Sequence, residues 1–204
     1  MGPGATYAVI TFTLGIICLL GWLYANVDNP RCAPILKKSL WCILLPLLLT
    51  PARFFTFPLG LWALVAFEEG VKAFASKREV EPQNKFWLVS LFGVWELTFD
   101  KPFWGLVVAQ SAESWDRVAL IGLVLATTIP VVMHAVTAAI YAFWFRGRLW
   151  LAFATSWVIH TVYDESVDYF GLSPTVQLIQ VALLIMLLTG LMLGQPASSR
   201  SATR

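Results

Sequence analysis

Charged residues divide the chain into long uncharged stretches, and these stretches predict helices that cross a membrane. Residues 1–27, 118–145 and 169–199 contain no Asp, Glu, Lys or Arg. Each stretch exceeds the roughly 20 residues that an α-helix needs to span the hydrocarbon core of a bilayer. The pattern therefore predicts three transmembrane helices at these positions.

Four shorter apolar stretches predict the other helices, at about 39–55, 57–76, 86–110 and 149–163. The second predicted helix and its border with the third are interrupted by Pro46, Pro51 and Pro58. Six spans with a re-entrant segment are therefore an alternative to seven. The predicted fold class is all-α: a polytopic helical membrane protein of about seven transmembrane helices. A single helical domain is expected over residues 1–194, followed by a disordered cytoplasmic tail over 195–204.

The distribution of basic residues predicts the orientation. With the N-terminus outside, ten of the 14 Lys and Arg residues fall in segments that face the cytoplasm. The opposite loops contain only Arg53 and Arg117 among the basic residues, together with a set of acidic ones: Glu113, Asp116, Asp164, Glu165 and Asp168. This bias follows the positive-inside rule and predicts an outside N-terminus and a cytoplasmic C-terminus.

The overall composition excludes several classes of protein. Hydrophobic residues make up 58% of the chain, charged residues only 13%, and the mean hydropathy is +0.73. These values exclude a cytosolic globular protein and a disordered chain. The net charge of +2 gives no reason to expect a nucleic-acid partner. The three cysteines, Cys18, Cys32 and Cys42, have neither a disulfide framework nor the spacing of a metal site.

Ionisable residues inside the predicted spans are the candidates for function. They are Glu68, Glu69, Lys72, Glu96, His134 and His160. A charged side chain near the bilayer centre costs roughly 2.5–3.5 kcal/mol on insertion scales. At a rise of about 1.5 Å per residue, the acids and imidazoles lie about 10–16 Å from the predicted cytoplasmic helix ends. Four helices should therefore bring them to nearly the same depth, close to the midplane.

Spacing within the helices suggests local partners. Glu68 and Lys72 are four residues apart and share a helix face, as expected of a site pair or of a purely structural ion pair. His160 and Asp164 have the same spacing, so Asp164 could orient the imidazole or simply cap the helix.

Two further local features are predicted. Thr137, three residues after His134, could orient the ring of that histidine. The sequence Asp100-Lys101-Pro102 predicts a break in its helix.

Glutamates and histidines around one polar cavity suit hydrolysis. A carboxylate can act as general base on water, and an imidazole can act as general acid or stabilise an oxyanion. A zinc ion is an alternative cofactor, because the candidate ligands Glu69, Glu96, His134 and His160 could leave one position open for water.

Four segments resemble motifs of the PrsW family of intramembrane proteases. Residues 67–72 resemble its Glu-Glu-x-x-Lys motif, and residues 92–96 resemble its Phe-x-x-x-Glu motif. Residues 130–137 and 160–164 are similar to its two histidine segments, in the same order along the chain. The resemblance covers about residues 60–165. Leu97 departs from the family pattern, which commonly has Asn there, and Asp164 stands where the family often has Asn.

The resemblance implies a glutamate-dependent peptidase that works within the membrane, related to the CAAX prenyl endopeptidases. The implied substrate is a membrane-anchored protein or peptide, such as an anti-sigma factor, and the implied location is the prokaryotic cell membrane. The expected catalytic residues are Glu68, Glu69, Glu96, His134, His160 and Asp164. In this hypothesis Glu68 or Glu69 activates water, the histidines stabilise the oxyanion or protonate the leaving amine, Glu96 assists, and Asp164 orients His160.

Two other classes of function stay open at the level of sequence. His134 and His160 lie at matching depth on consecutive helices, as in a bis-imidazole b-type haem protein. Buried acids also occur in proton-coupled transporters and in non-catalytic membrane scaffolds. The expected partners are the substrate and the lipid bilayer, and the sequence does not indicate the oligomeric state.

Overall fold

The computed structural model describes residues 3–41, 60–102, 117–145, 147–170 and 173–194, and it is helical throughout these ranges apart from short turns. The helices are α1 (Pro3–Ala25), α2 (32–41), α3 (Gly60–Lys77), α4 (Pro82–Trp95), α5 (Arg117–Ala139), α6 (Leu149–Phe170) and α7 (Pro174–Leu193). Two of them continue directly into π-helical turns, α4 at Glu96–Asp100 and α5 at Ile140–Trp144. The predicted all-α class is confirmed.

Several boundaries differ from those predicted. Most of the predicted helix at 39–55 and the whole tail at 195–204 lie outside the described residues. Lys37 and Lys38 precede the predicted helix at 39–55 and were therefore expected in a loop, but they lie on α2. Helix α4 begins at Pro82 rather than near residue 86, because proline fits the first turn of a helix, where its missing N–H costs no hydrogen bond.

The predicted break at residues 100–102 is not observed. Helical geometry continues through Pro102, and the irregularity there is the π-helical turn that precedes it. Helix α6 also continues to Phe170, so Asp164 lies inside the helix and does not cap its end.

Among the described helices, two are long and apolar enough to cross a membrane: the segments Gly4–Ala25 in α1 and Pro174–Leu193 in α7. Both present large apolar side chains at the surface, including Phe12, Ile17 and Leu20 on α1 and Leu183 and Met186 on α7. Extended exposed apolar surface of this kind marks a membrane or protein contact. These helices are consistent with a membrane protein.

Helices α4 and α5 form the centre of the molecule. Leu88 and Leu91 of α4 and Met133 and Val136 of α5 are fully buried. Gly93 permits the close approach, because a Cβ added there would lie 2.9 Å from the Cβ of His134. Helix α7 packs against α5, α3 packs against α6, and α1 covers the π-helical turn that follows α4.

The segments rich in basic residues meet at one end of the helix bundle. Lys38 Nζ of α2 lies 2.9 Å from Glu79 Oε1, which follows α3. The ring centroids of Phe86 on α4 and Phe143 after α5 are 5.8 Å apart. Trp144 Nε1 donates to the carbonyl oxygen of Leu191 near the end of α7 at 3.3 Å. The orientation of this end relative to a membrane stays a prediction.

Two apolar cavities lie along α6 and α7, with volumes of about 510 and 560 Å³. Ile159 lines both of them, and Tyr163 lines the larger one. Ser166 and Gln180 add a hydrogen-bonded polar pair to the larger cavity. Ile159 and Tyr163 lie on the same helix as His160, one residue before it and three after it, but His160 itself does not line either cavity.

Candidate active site

The ionisable residues predicted from the sequence meet in one cluster, although they come from four helices. We call this the acid–histidine cluster: Glu68, Glu69 and Lys72 of α3, Glu96 at the start of the π-helical turn after α4, His134 of α5 and His160 of α6. The two imidazole rings are in edge contact, with their centroids 5.6 Å apart and their planes at 79°. The structure thus brings all six residues to one level of the bundle.

One part of the cluster, the closed half, consists of Lys72, Glu69 and His160. Glu69 and Lys72 are both 0% exposed. The ammonium group of Lys72 donates to Glu69 Oε1 and lies 2.9 Å from Glu68 Oε1. His160 Nδ1 lies 2.9 Å from the same Glu69 oxygen. A buried charge is tolerated when it is paired and hydrogen-bonded, and Glu69 meets both conditions.

Tyr141 supports the closed half and was not predicted. Its hydroxyl group donates to the backbone carbonyl oxygen of Glu69 at 3.0 Å and lies 3.4 Å from Glu69 Oε2. The residue lies seven positions after His134, a spacing that returns to the same face of a helix. This spacing is the sequence signal that could have identified it.

The other part, the open half, consists of Glu68, Glu96 and His134, and Lys101 lies beside it. Glu96 Oε2 lies 2.8 Å from His134 Nε2, and Glu96 Oε1 lies 2.7 Å from Lys101 Nζ. The side chains of Glu68, Glu96 and Lys101 are 21%, 19% and 25% exposed. Water or a substrate can therefore reach this half but not the closed one.

Lys101 was missed because its spacing from Glu96 is unusual. Residues five apart do not face each other on an α-helix, where neighbours are three or four apart. The π-helical turn adds one residue to each turn, and the Lys101 N–H bonds to the Glu96 carbonyl oxygen. The turn thereby places Lys101 above Glu96, and the sequence gives no sign of it.

Glu68 differs from the other two glutamates of the cluster in having an oxygen without a partner among the described residues. Its contacts with Lys72 Nζ at 2.9 Å and His134 Nε2 at 3.5 Å both use Oε1. Both oxygens of Glu96, in contrast, are engaged by His134 and Lys101. Glu68 Oε2 is thus available to bind water.

Asp164 does not orient His160 in the way that the sequence suggested. Its Oδ2 lies 3.7 Å from His160 Nε2, which is too long for a hydrogen bond. Glu69 binds the other ring nitrogen and fixes the orientation of the imidazole instead. Asp164 is 29% exposed and lies beside the cluster on the accessible side.

The predicted role of Thr137 is also wrong. Its hydroxyl group donates to the backbone carbonyl oxygen of His134 at 3.1 Å and does not contact the ring. Glu96 holds the ring instead, through Nε2. His134 Nδ1 is buried and has no hydrogen-bond partner among the described residues.

The two histidines should carry their protons on different nitrogens. A neutral imidazole donates from one nitrogen and accepts at the other, and a neighbouring carboxylate selects the donor. His134 meets Glu96 through Nε2, whereas His160 meets Glu69 through Nδ1. The lone pair of His160 is therefore expected on Nε2, on the side of Asp164.

The cluster contains two groups of three potential metal ligands, each with donor atoms within 4.8 Å of one another. One group is Glu68, Glu69 and His160, and the other is Glu68, Glu96 and His134. Lysine ammonium groups already occupy oxygens of both groups, Lys72 on Glu68 and Glu69 and Lys101 on Glu96. A metal ion would therefore share these glutamates with bound lysines, which already neutralise part of their charge.

Comparison with known proteins finds no matching family model, no matching curated protein and no matching solved structure. The resemblance to the PrsW family stays a prediction that depends on the four motifs.

Proposed function

We propose that this protein is a multi-pass membrane peptidase that hydrolyses a peptide bond in a membrane-anchored protein or peptide. The observation that carries the proposal is the meeting of three glutamates and two histidines from four helices, with one half of the cluster accessible from outside. Burying this many ionisable groups is costly, and membrane helices that contain them commonly use them for function.

Glu68 is the general base in the proposed mechanism. Its accessible Oε2 takes a proton from a water molecule as the water attacks the carbonyl carbon of the substrate. The N–H of His134 that bonds to Glu96 lies 3.5 Å from Glu68 Oε1, and in this mechanism it turns from Glu96 to the oxyanion of the tetrahedral intermediate. Glu68 then delivers the proton to the departing amine, which leaves its carboxylate ready for another cycle.

Glu69 has a supporting role in this mechanism, because it is fully buried and its carboxylate is occupied. Lys72 and His160 both bind its Oε1, and the hydroxyl of Tyr141 lies near its Oε2. Glu69 thus holds Lys72 against Glu68. It also fixes the orientation of the His160 ring, whose Nε2 lies on the side of Asp164.

The proposed reaction needs no metal ion. Lys72 and Lys101 provide the positive charge that a zinc ion would otherwise bring to the glutamates. The proposal therefore prefers the glutamic type of peptidase to the zinc-dependent type.

The substrate is proposed to approach from the side of α6 and α7. The cavities there are apolar and include Ile159 and Tyr163, the neighbours of His160 along one helix. An apolar segment of an anchored substrate can occupy such a space while its peptide bond reaches the open half.

The geometry gives less support to a haem protein. Both imidazoles are hydrogen-bonded to glutamates and are in edge contact with each other. A porphyrin ring would have to separate them and break these contacts. A scaffold or a transporter would leave the accessible Glu68 without a reaction to perform.

The proposal can be tested with purified protein in lipid vesicles and a panel of fluorescent single-span peptides. We expect wild-type protein to cleave at least one peptide, and Glu96→Gln and His160→Gln to lose this cleavage. Glu81→Gln is the matched control, since Glu81 is exposed and lies outside the cluster. Cleavage by both site variants at the rate of the control would contradict the proposal.

A further inference from the structure

Lys101 and helix α1 act together on the open half of the cluster. We infer that Lys101 is a positioning residue that sets the Glu96–His134 pair, and that Gly15 of α1 holds Lys101 in place. Neither residue belongs to the motifs found in the sequence, and α1 lies outside the motif region altogether.

The two oxygens of the Glu96 carboxylate have different partners. Lys101 Nζ binds Oε1 at 2.7 Å, and His134 Nε2 binds Oε2 at 2.8 Å. The two partners thus engage different oxygens of one planar group. Lys101 therefore fixes the rotation of the carboxylate, and this rotation presents Oε2 to the ring of His134.

The π-helical turn is needed for this contact. Its hydrogen bond runs from the Lys101 N–H to the Glu96 carbonyl oxygen, five residues back. An ordinary α-helical turn would place Lys101 on a different face from Glu96. The ion pair thus exists only while the turn keeps its extra residue.

Helix α1 packs against this turn. A Cβ added to Gly15 would overlap Thr98 Oγ1 and would lie 2.8 Å from the Thr98 Cα and 2.9 Å from its backbone nitrogen. Because two of these atoms are backbone, the turn could not make room by rotating a side chain. Thr98 lies in the middle of Glu96–Asp100, so any side chain at position 15 must change how α1 and the turn pack against each other.

The same helix offers a control position. A Cβ added to Gly21 would meet no atom of the described residues within 4 Å. Gly15→Ala and Gly21→Ala therefore make the same chemical change on one helix, but only the first presses on the π-helical turn.

The test uses the two histidines as reporters, because the chain contains no others. Full-length protein labelled with ¹⁵N-histidine is studied by NMR in detergent micelles, and His134→Gln assigns the signals. We expect Lys101→Met and Gly15→Ala to shift the Nε2 signal of His134 and to leave both signals of His160 in place. Lys101→Arg, which keeps the charge, and Gly21→Ala should leave both histidines unchanged.

Several outcomes would overturn the inference. An unchanged His134 signal in Lys101→Met shows that Lys101 does not position the ring. Equal shifts in the Met and Arg variants show that the charge is not the cause. Equal effects of Gly15→Ala and Gly21→Ala remove the role of α1. If Lys101→Met does not fold, Lys101→Gln takes its place in the comparison with Lys101→Arg, and the two glycine variants still test the role of α1.

The consequence for catalysis rests on the proposed function, whereas the NMR test of the positioning role does not depend on that function. If the protein cleaves peptides, the positioning role predicts a lower kcat with a nearly unchanged KM in Lys101→Met and recovery in Lys101→Arg. If no peptide is cleaved while the His134 signal shifts as expected, the proposed function fails and the positioning role stands. Cleavage with an unmoved His134 signal gives the opposite result.

Discussion

At the scale of single residues, the acid–histidine cluster contains buried side chains that hold their neighbours in place and partly exposed side chains that can react. Glu69 and Lys72 are inaccessible and fully paired, whereas the adjacent Glu68 is partly exposed and has an oxygen without a described partner. Neighbouring residues on a helix point about 100° apart, so one of two consecutive glutamates can enter the core while the other faces its edge. The pair of glutamates thus has two different roles.

The first prediction concerns the tautomers of the histidines. In wild-type protein, neutral His134 should carry its proton on Nε2 and neutral His160 on Nδ1, because those are the nitrogens that meet Glu96 and Glu69. The ¹⁵N chemical shifts of the labelled imidazoles measure this directly. Finding the same tautomer in both rings would show that at least one of the two carboxylate contacts is not as described.

The second prediction concerns the buried lysine. Lys72→Met should destabilise the protein by about 3–5 kcal/mol, because it leaves two glutamates without their shared cation. Lys77→Met, at the exposed end of the same helix, should change stability by at most about 0.5 kcal/mol. Thermal unfolding in detergent compares the two variants, and equal melting temperatures would contradict the paired role of Lys72.

Sequence reasoning at this scale found the acids and imidazoles but not all of their partners. Glu69, Glu96, His134 and His160 could be identified because they are ionisable residues in otherwise apolar stretches of the sequence. The partner of a ring nitrogen depends on how helices rotate against each other, and spacing along one helix does not report this. Asp164 and Thr137 were assigned to the rings for that reason, whereas the rings bind glutamates from other helices.

At the scale of elements, the close packing of α4 on α5 fixes the position of His134. Gly93 lies against the backbone of α5, and a Cβ there would lie 2.9 Å from Val131 Cα as well as from His134. The uncharged apolar stretches predicted α4 and α5, but not the π-helical turn after each of them. Such turns depend on an inserted hydrogen bond and leave the pattern of apolar residues unchanged.

The third prediction follows from this contact. Gly93→Ala should force α4 and α5 apart, destabilise the protein by about 1–3 kcal/mol and weaken the bond between Glu96 and His134. Gly70→Ala, beside Glu69 on α3, is the matched control, because a Cβ there meets no described atom within 4 Å. Melting temperature and the His134 NMR signal are the measurements. A control variant as destabilised as Gly93→Ala would sink the packing argument.

At the scale of the whole molecule, the described basic segments lie at one end of the bundle, and the membrane orientation inferred from the charges stays a prediction. Two described helices are apolar enough to span a membrane, and the other proposed spans are shorter or contain the cluster. Helix α3, for example, contains Glu68, Glu69, Lys72 and Lys77 and is less apolar than α1 and α7 for that reason.

The fourth prediction tests the proposed orientation. In a variant with Cys18, Cys32 and Cys42 replaced by alanine, single cysteines at Lys77 and Arg148 should react with a membrane-impermeant reagent only from the cytoplasmic side. A cysteine at Ser173, in the turn between α6 and α7, should react only from the outside. Labelling of Lys77→Cys and Ser173→Cys from the same side would contradict the multi-pass arrangement.

The central claim is that Glu68 activates water without the help of a metal ion. The most direct measurement is the rate of cleavage of a membrane-anchored peptide by wild-type protein and by Glu68→Gln, each with and without a chelator. We predict that wild-type cleavage survives chelation and that Glu68→Gln is slower by about 100-fold or more, as expected for loss of a general base. Cleavage by Glu68→Gln at the wild-type rate, or loss of wild-type activity on chelation, would contradict the account.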